Sequence, residues 1–291
     1  MGDGRRMRVR MAVHVHVFYP ELIQELSVCV RNLVSAGAEV STFVTYPDCR
    51  DGLADTLPRF FPDAKIIRVP NAGYDVGPFF EVLNRIDLSN CDYVVKLHTK
   101  RDKPVDWVNF HCFRGSGWRR ALLSFCATPA AARRSMAAFT ANPKLGMIAD
   151  RRVIDPSGIG QGDYPEWKRL RVLRGLGICP RSCTFVYGTM FMVRAELLKA
   201  IWGRVRMEDF SAIANPHVDY GLALEWELAF PVLVESQGCY VSDGCLPGWC
   251  VTPYFRIVGL KLMILRKTVD AVRKCVGSKR LNGLFRCLGI R

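Results

Sequence analysis

Three segments concentrate the residue types that bind phosphate or move protons. The first is NAGYDVGPFF, residues 71–80. Gly73 and Gly77 permit positive φ or close backbone approach, and Asn71 and Asp75 can fix turns with their side chains. The segment lies between a strand pattern and a helix pattern, where open α/β sheets bind ligands and helix N-termini favour phosphate. A structural turn would use the same residues, so composition leaves both readings open, and the strand-to-helix context favours a site. The second is DYVVKLHTKRDK, residues 92–103. A strand carrying Lys96 runs into His98, Thr99, Lys100, Arg101, Asp102 and Lys103, which puts donors and positive charge at its C-terminal end. The competing reading is a solvated basic loop. The third comprises YGTMFMVRAELL (187–198), MEDF (207–210) and HVDYGLALEWEL (217–228). Glu208, Asp209, Asp219, Glu225 and Glu227 fall near expected element ends. Asp219 and Glu227 are eight apart, about two helical turns, so they can share a helix face. Capping by Asp219 and surface charge for the others is the alternative.

The flanking patterns specify what must hold these segments. Residues 11–18 (MAVHVHVF) alternate and are β-branched-rich, which predicts a strand. Further strands are expected at 39–45, 65–69, 92–98, 145–149 and 184–193. Helices are expected from Pro20 to Gly37, from Pro78 or Phe79, over 129–141, from Ala195 and over 218–230. Residues 150–182, rich in Gly, Pro and Arg, read as a long surface loop or mobile flap. Strands alternating with helices predict an α/β fold with a mostly parallel sheet flanked by helices. No repeat or low-complexity linker divides the chain. The expected organisation is one domain over 1–250 and an extension over 251–291.

The 291 residues are 49% hydrophobic and 23% charged, the balance of a folded globular chain. No apolar run approaches the ~20 residues of a spanning helix. The N-terminus reads as a first strand rather than an export signal, so the twelve cysteines are expected as reduced thiols in a cytoplasmic protein. None forms a CxxC pair, which argues against zinc. The net charge is +14, which attracts polyanions. Residues 256–291 hold ten basic side chains and one Asp, +9 of that total. Apolar Ile257, Leu260, Ile264, Leu265, Val269, Val272 and Val276 are interleaved at helical spacing. A basic amphipathic helical tail of this kind suits an anionic membrane surface or a partner, the alternative being a helix packed on the domain. No RNA-binding aromatic motif, zinc finger or helix-turn-helix pattern is present, so nucleic acid is not an expected partner.

The ordered set HVFYPEL (16–22), VPNAGYDVGPF (69–79), DYVVKLHTKRD (92–102), GWRRALL (117–123) and GTMFMVRAELL (188–198), then DF with Asp219 and Glu227, resembles the rhamnan synthesis protein F family of bacterial polysaccharide glycosyltransferases. The resemblance spans about 16–242. It implies a fold similar to the nucleotide-diphospho-sugar transferase (GT-A-like) type. It also implies transfer of a sugar, rhamnose or a related one, from a nucleotide-sugar donor to a saccharide or lipid-linked acceptor in cell-surface polysaccharide or lipopolysaccharide synthesis. A non-catalytic scaffold of a polysaccharide assembly complex is the alternative. Two positions depart from the family pattern: Met192 stands where it usually has Trp, and Leu224 where it usually has His.

For the site, the resemblance implies donor contacts from Asn71, Gly73, Asp75, Gly77, Lys96, His98, Thr99, Lys100 and Arg101. It implies catalytic carboxylates at Asp219, then Glu227 and Asp209, with His217 and His98 as alternative bases. Many transferases of this fold hold a divalent metal on the diphosphate through Asp-X-Asp after the fourth strand. Here that strand ends Leu97-His98-Thr99-Lys100, so no metal ligand is assigned; a divalent metal stays an open alternative, and Lys100, Arg101, His98 and amides near Gly77 are expected to supply some or all of its positive charge. The acceptor's lipid carrier and the basic tail suggest peripheral attachment to the inner face of the cell membrane.

Overall fold

In the computed structural model the described residues are 8–108, 111–156, 171–180, 184–210 and 221–245, with positions 257, 260, 261, 264, 267 and 268 of the tail. Strands β1 (Arg10–His16), β2 (Glu39–Pro47), β3 (Lys65–Val69) and β4 (Tyr93–His98) form as the sequence predicts. Around them run α1 (Ile23–Ser35), α2 (Leu57–Phe60) and α3 (Val76–Leu83). A hairpin β5–β6 (Lys103–Val108, His111–Gly115) leads into α4 (Gly117–Leu122) and α5 (Pro129–Ala141). Then come β7 (Leu145–Ile148), β8 (Ile154–Asp155), α6 (Arg171–Gly175), β9 (Phe185–Val186), β10 (Phe191–Arg194), α7 (Ala195–Leu198), α8 (Gly221–Ser236) and β11 (Tyr240–Ser242).

The central sheet has seven strands in the order β11-β7-β10-β4-β1-β2-β3. Neighbouring strands among β3, β2, β1 and β4 are parallel, β10 is antiparallel to both β4 and β7, and β11 is parallel to β7. The fold is therefore mixed α/β with a mostly parallel sheet between helices. From β1 the chain steps outward through β2 and β3, then returns to lay β4 on the other side of β1. Open sheets bind ligands in the crevice at such a reversal, outside the strands' C-terminal ends.

Helix α1 shows how the sequence sets this packing. Ile23, Leu26, Cys29, Val30 and Leu33 recur at helical spacing and are all buried. Gly37 ends the helix at φ +101°, a conformation favouring glycine. The expected strand over 184–193 is instead two short strands. Between them Gly188 and Thr189 take φ +74° and +48°, which breaks any continuous ladder. In the stretch expected to be loop, residues 154–155 form β8, paired with β9, and residues 171–175 form α6. Helix α8 runs through Pro231 to Ser236. Its buried Trp226, Phe230, Val232 and Leu233 anchor it there, and burial outweighs the proline penalty. Asp219 and His217 lie outside the described residues, as does most of the tail. Among the tail positions described, Ile257, Leu260 and Ile264 are exposed. No helix among the described residues is long and apolar enough to cross a membrane.

Candidate functional site

Strand register assembles a polar layer where apolar residues would be expected. On one face of the sheet, His14 lies opposite Lys96, His16 opposite His98, and His16 opposite Thr45 on its other side. Side chains two apart on a strand share a face, so the HVH of β1 and the KLH of β4 deliver these groups together. All five are buried, and Lys96 is fully so. The Thr45 hydroxyl lies 2.8 Å from His14 Nε2 and 2.9 Å from His16 Nδ1. It has one proton, so one ring accepts from it and the other donates to it.

Asp75 closes the site from the start of α3. It sits at the helix N-terminus but its side chain does not cap the helix. Its carboxylate instead bonds Lys96 Nζ, and its Oδ2 lies 3.3 Å from His98 Nδ1. Two successive left-handed residues, Gly73 at φ +65° and Tyr74 at +53°, turn the chain into this position. Lys96 Nζ also donates to the Thr189 carbonyl at 3.1 Å and lies 5.8 Å from the centre of the Phe79 ring. Tyr74 and Thr189 are the non-glycine residues of positive φ among those described. Each such residue costs roughly 1–3 kcal/mol, a strain that concentrates at functional sites.

Beneath this layer, Phe79, Phe80, Phe191, Phe230 and Trp226 interlock, with Phe79–Phe230 centroids 5.4 Å apart and Phe80–Trp226 4.8 Å apart. Such pairs add about 0.5–1.5 kcal/mol each beyond area burial. They make a rigid, dry floor.

The electrostatics separate two carboxylates. Burial opposes ionisation of Asp75, but His98, Lys96 and Lys100 overcome it and hold the group well below the usual carboxylate range. Burial, with Lys96 and Lys100, pushes His98 itself well below 6.5 against the pull of Asp75, so at neutral pH the lysines rather than the expected His98 carry the positive charge. Glu227 of α8 is pushed up, first by burial and then by the charge of Asp75. Lys100, Lys96 and the Thr189 hydroxyl offset this in part. Glu227 thus belongs to the same cluster. One carboxylate is held ionised and a second is biased towards its acid form, the pairing from which proton transfer beside a stabilised charge is built.

The remaining expected residues divide. Lys100 is half-buried and joins the cluster's field. Arg119 pins its loop, bonding Glu25 and Asp102 and reaching the Lys100 carbonyl at 3.4 Å. Thr99 accepts from the amides of Phe18 and Tyr19 and so joins the ends of β1 and β4. Arg101 is exposed, 3.7 Å from Glu21 and over the Tyr19 ring. Asn71 is half-buried. Gly73 and Gly77 have packing reasons: a Cβ on Gly73 would meet the Phe210 ring at 2.7 Å, and one on Gly77 the Ala72 carbonyl at 2.9 Å. The amides of Val76 and Gly77 both donate to the Gly73 carbonyl, so they close the turn. Asp209 is exposed and accepts from the Arg206 amide. His14, His16, Thr45 and Thr189 were not expected at the site. The signal for the histidines was polar residues two apart within an otherwise apolar strand.

The chain matches the family model for rhamnan synthesis protein F over residues 3–224. It belongs to that family. It is also 26% identical over 193 residues to Uncharacterized protein WxcX from two strains of Xanthomonas campestris pv. campestris. That match covers 65% of this chain and 26% of each relative, so the chain spans about a quarter of their length. The family match takes in Asp75, Lys96 and His98 and ends at Leu224, three residues before Glu227.

The buried histidines of this family member carry a pH prediction. Burial, reinforced by His16 and then Lys96, lowers the pKa of His14, and burial takes His16 to about 4 against the pull of Asp75. Below about pH 6.5 the unfolded chain therefore binds protons that the fold refuses, so stability falls as pH drops from about 6.5 towards 4. For His16 alone that amounts to roughly 3 kcal/mol at full extent. The contribution of Asp75, whose pKa is depressed, is lost only below about 4. Thermal unfolding is expected to show a lower midpoint at pH 5 than at pH 7, with a shallower slope for His16→Gln. Equal midpoints for the parent protein would contradict the neutral pair.

Proposed function

We propose that the chain is a nucleotide-sugar-dependent glycosyltransferase of GT-A-like fold that extends a rhamnose-containing or related surface polysaccharide. The observation that carries this reading is the meeting of Asp75, Lys96 and His98 at the C-terminal ends of β1 and β4, where the strand order reverses, with half-buried Lys100 and Glu227 within its electrostatic reach. Glycosyl transfer needs the leaving diphosphate stabilised, the acceptor hydroxyl deprotonated and both substrates aligned. Lys100, with Lys96 behind it, offers positive charge for the diphosphate. Glu227 is the base, taking the acceptor proton as the glycosidic bond forms, and Asp75 orients Lys96 and His98. Asp219 remains a candidate on the family motif.

Among the described residues, the donor set at the end of β4 does not fit a divalent cation. Asp75 is already bonded to Lys96, and among the described residues no three His, Cys, Asp or Glu are grouped to ligate one. Full sugar transfer in excess chelator is the expected result, and strict Mn or Mg dependence would overturn the charge assignment. A scaffold without catalysis would be revealed by silence towards every donor while partner binding persists.

The tail gives the enzyme a route to a lipid-carried acceptor. Exposed Ile257, Leu260 and Ile264 at helical spacing, with Lys261 and Lys267 among them, suit an anionic leaflet. Co-sedimentation with anionic vesicles should drop when 256–291 are deleted. Unchanged binding would reject the membrane role.

A further inference from the structure

We propose that a second anion site, shaped for a phosphate or diphosphate group, lies on the same edge of the sheet and is walled by Arg114, Arg120 and Arg152. These side chains line a cavity of about 460 Å³ together with His111, Phe113 and Gly117. Strand β6 contributes His111, Phe113 and Arg114, α4 contributes Gly117 and Arg120, and the turn after β7 contributes Arg152. Both β4 and β7 are antiparallel to β10 and so point the same way. The hairpin and the turn therefore follow strand C-terminal ends, the edge that carries the first site.

The chemistry of the lining is one-sided. Among the described residues no carboxylate lines the cavity. Asp150 grips Arg152, accepting from Nε at 2.8 Å and from its terminal amine at 2.6 Å, and this fixes the direction of the guanidinium. The Phe113 ring backs Arg152 at 5.7 Å. Arg114 and Arg120 are exposed, and among the described residues neither side chain has a carboxylate partner. The local field is positive enough to act on His111, whose pKa is lowered by burial, Arg152 and Arg151 against the pull of Asp150. Asp150 already meets the charge of Arg152, so Arg114 and Arg120 are the guanidinium groups that an anion in the hollow would join, and their planar donor forks match phosphate oxygens. Arg152 also borders a larger hollow of about 850 Å³, floored by Ala138, Ala141 and Ala149, with room for the body of a phosphate-bearing molecule. The site would exist whether or not the chain transfers sugars. Its ligand is a phosphate ester or diphosphate, free in solution or carried by a lipid.

Phenylglyoxal modification of the full chain, read residue by residue by mass spectrometry, tests this without confusion with the first site. Inorganic pyrophosphate is expected to slow modification of Arg114 and Arg120 several-fold while leaving exposed Arg59 and Arg174 unchanged. If phosphatidic acid in phosphatidylcholine vesicles protects the same pair and pyrophosphate does not, the phosphate is lipid-borne. The double variant Arg114→Ser, Arg120→Ser removes two exposed side chains and should keep the parent's unfolding midpoint while losing this added binding. Equal modification rates with and without both probes would overturn the proposal.

Discussion

Asp75→Asn is expected to lower the free energy of unfolding by roughly 3–5 kcal/mol, the usual cost of leaving a buried charge without its partner. Lys96 is fully buried, and its ammonium is held by the Asp75 carboxylate, one carbonyl and an aromatic face. Removing the carboxylate charge leaves the carbonyl and the ring to carry an ion that water cannot reach. The double variant Asp75→Leu, Lys96→Met removes both charges at similar volume. It should recover most of the loss, because replacing a buried pair by apolar residues is often neutral or stabilising. Denaturant unfolding of the parent, the single variants Asp75→Leu and Lys96→Met, and the double variant gives the coupling directly. Additive effects, with no recovery in the double variant, would show that the two groups do not depend on each other. Sugar transfer should be lost in every Asp75 variant, including the double variant that regains stability, which separates the pair's chemical role from its structural one.

Glu227→Gln is expected to reduce turnover about 10²–10⁴-fold, the range for loss of a general base, with a much smaller change in KM. Glutamine keeps the size and the hydrogen bonds but cannot take a proton. The raised pKa adds a signature. The base works as the carboxylate, so the rate should climb as pH rises through a value above the ordinary 4.5 of glutamate. That acid limb should vanish from the residual activity of the variant. A variant with near-normal turnover would move the role to Asp219, which Asp219→Asn then tests in the same assay.

Much of this site is written in short-range sequence signals, and its limits are physical. Turn formers around Asp75 and the charge at the end of β4 mark the two segments that meet. Spacing also allowed Glu227 to share a helix face with Asp219, but left open whether it is surface charge. What spacing could not show is that Lys96 belongs to the buried face rather than to a solvated loop, because that depends on Phe79 and Asp75 arriving from another element. Gly73 and Gly77 look like phosphate-binding glycines, yet close contacts with Phe210 and Ala72 already require them. The alternation in MAVHVHVF marked a strand, but not that both of its faces are covered and that Thr45 would join the two rings. The break at Gly188–Thr189 was hidden by the β-propensity of the residues around it. Its backbone strain supplies the carbonyl that Lys96 needs.

The most direct measurement is calorimetric titration of a panel of nucleotide sugars, including a rhamnose donor, into the parent protein and the Asp75→Leu, Lys96→Met variant. At least one donor is expected to bind the parent, and the variant, folded and of comparable stability, to lose that binding. A donor held equally by both proteins, or no donor held by the parent, would contradict the assignment.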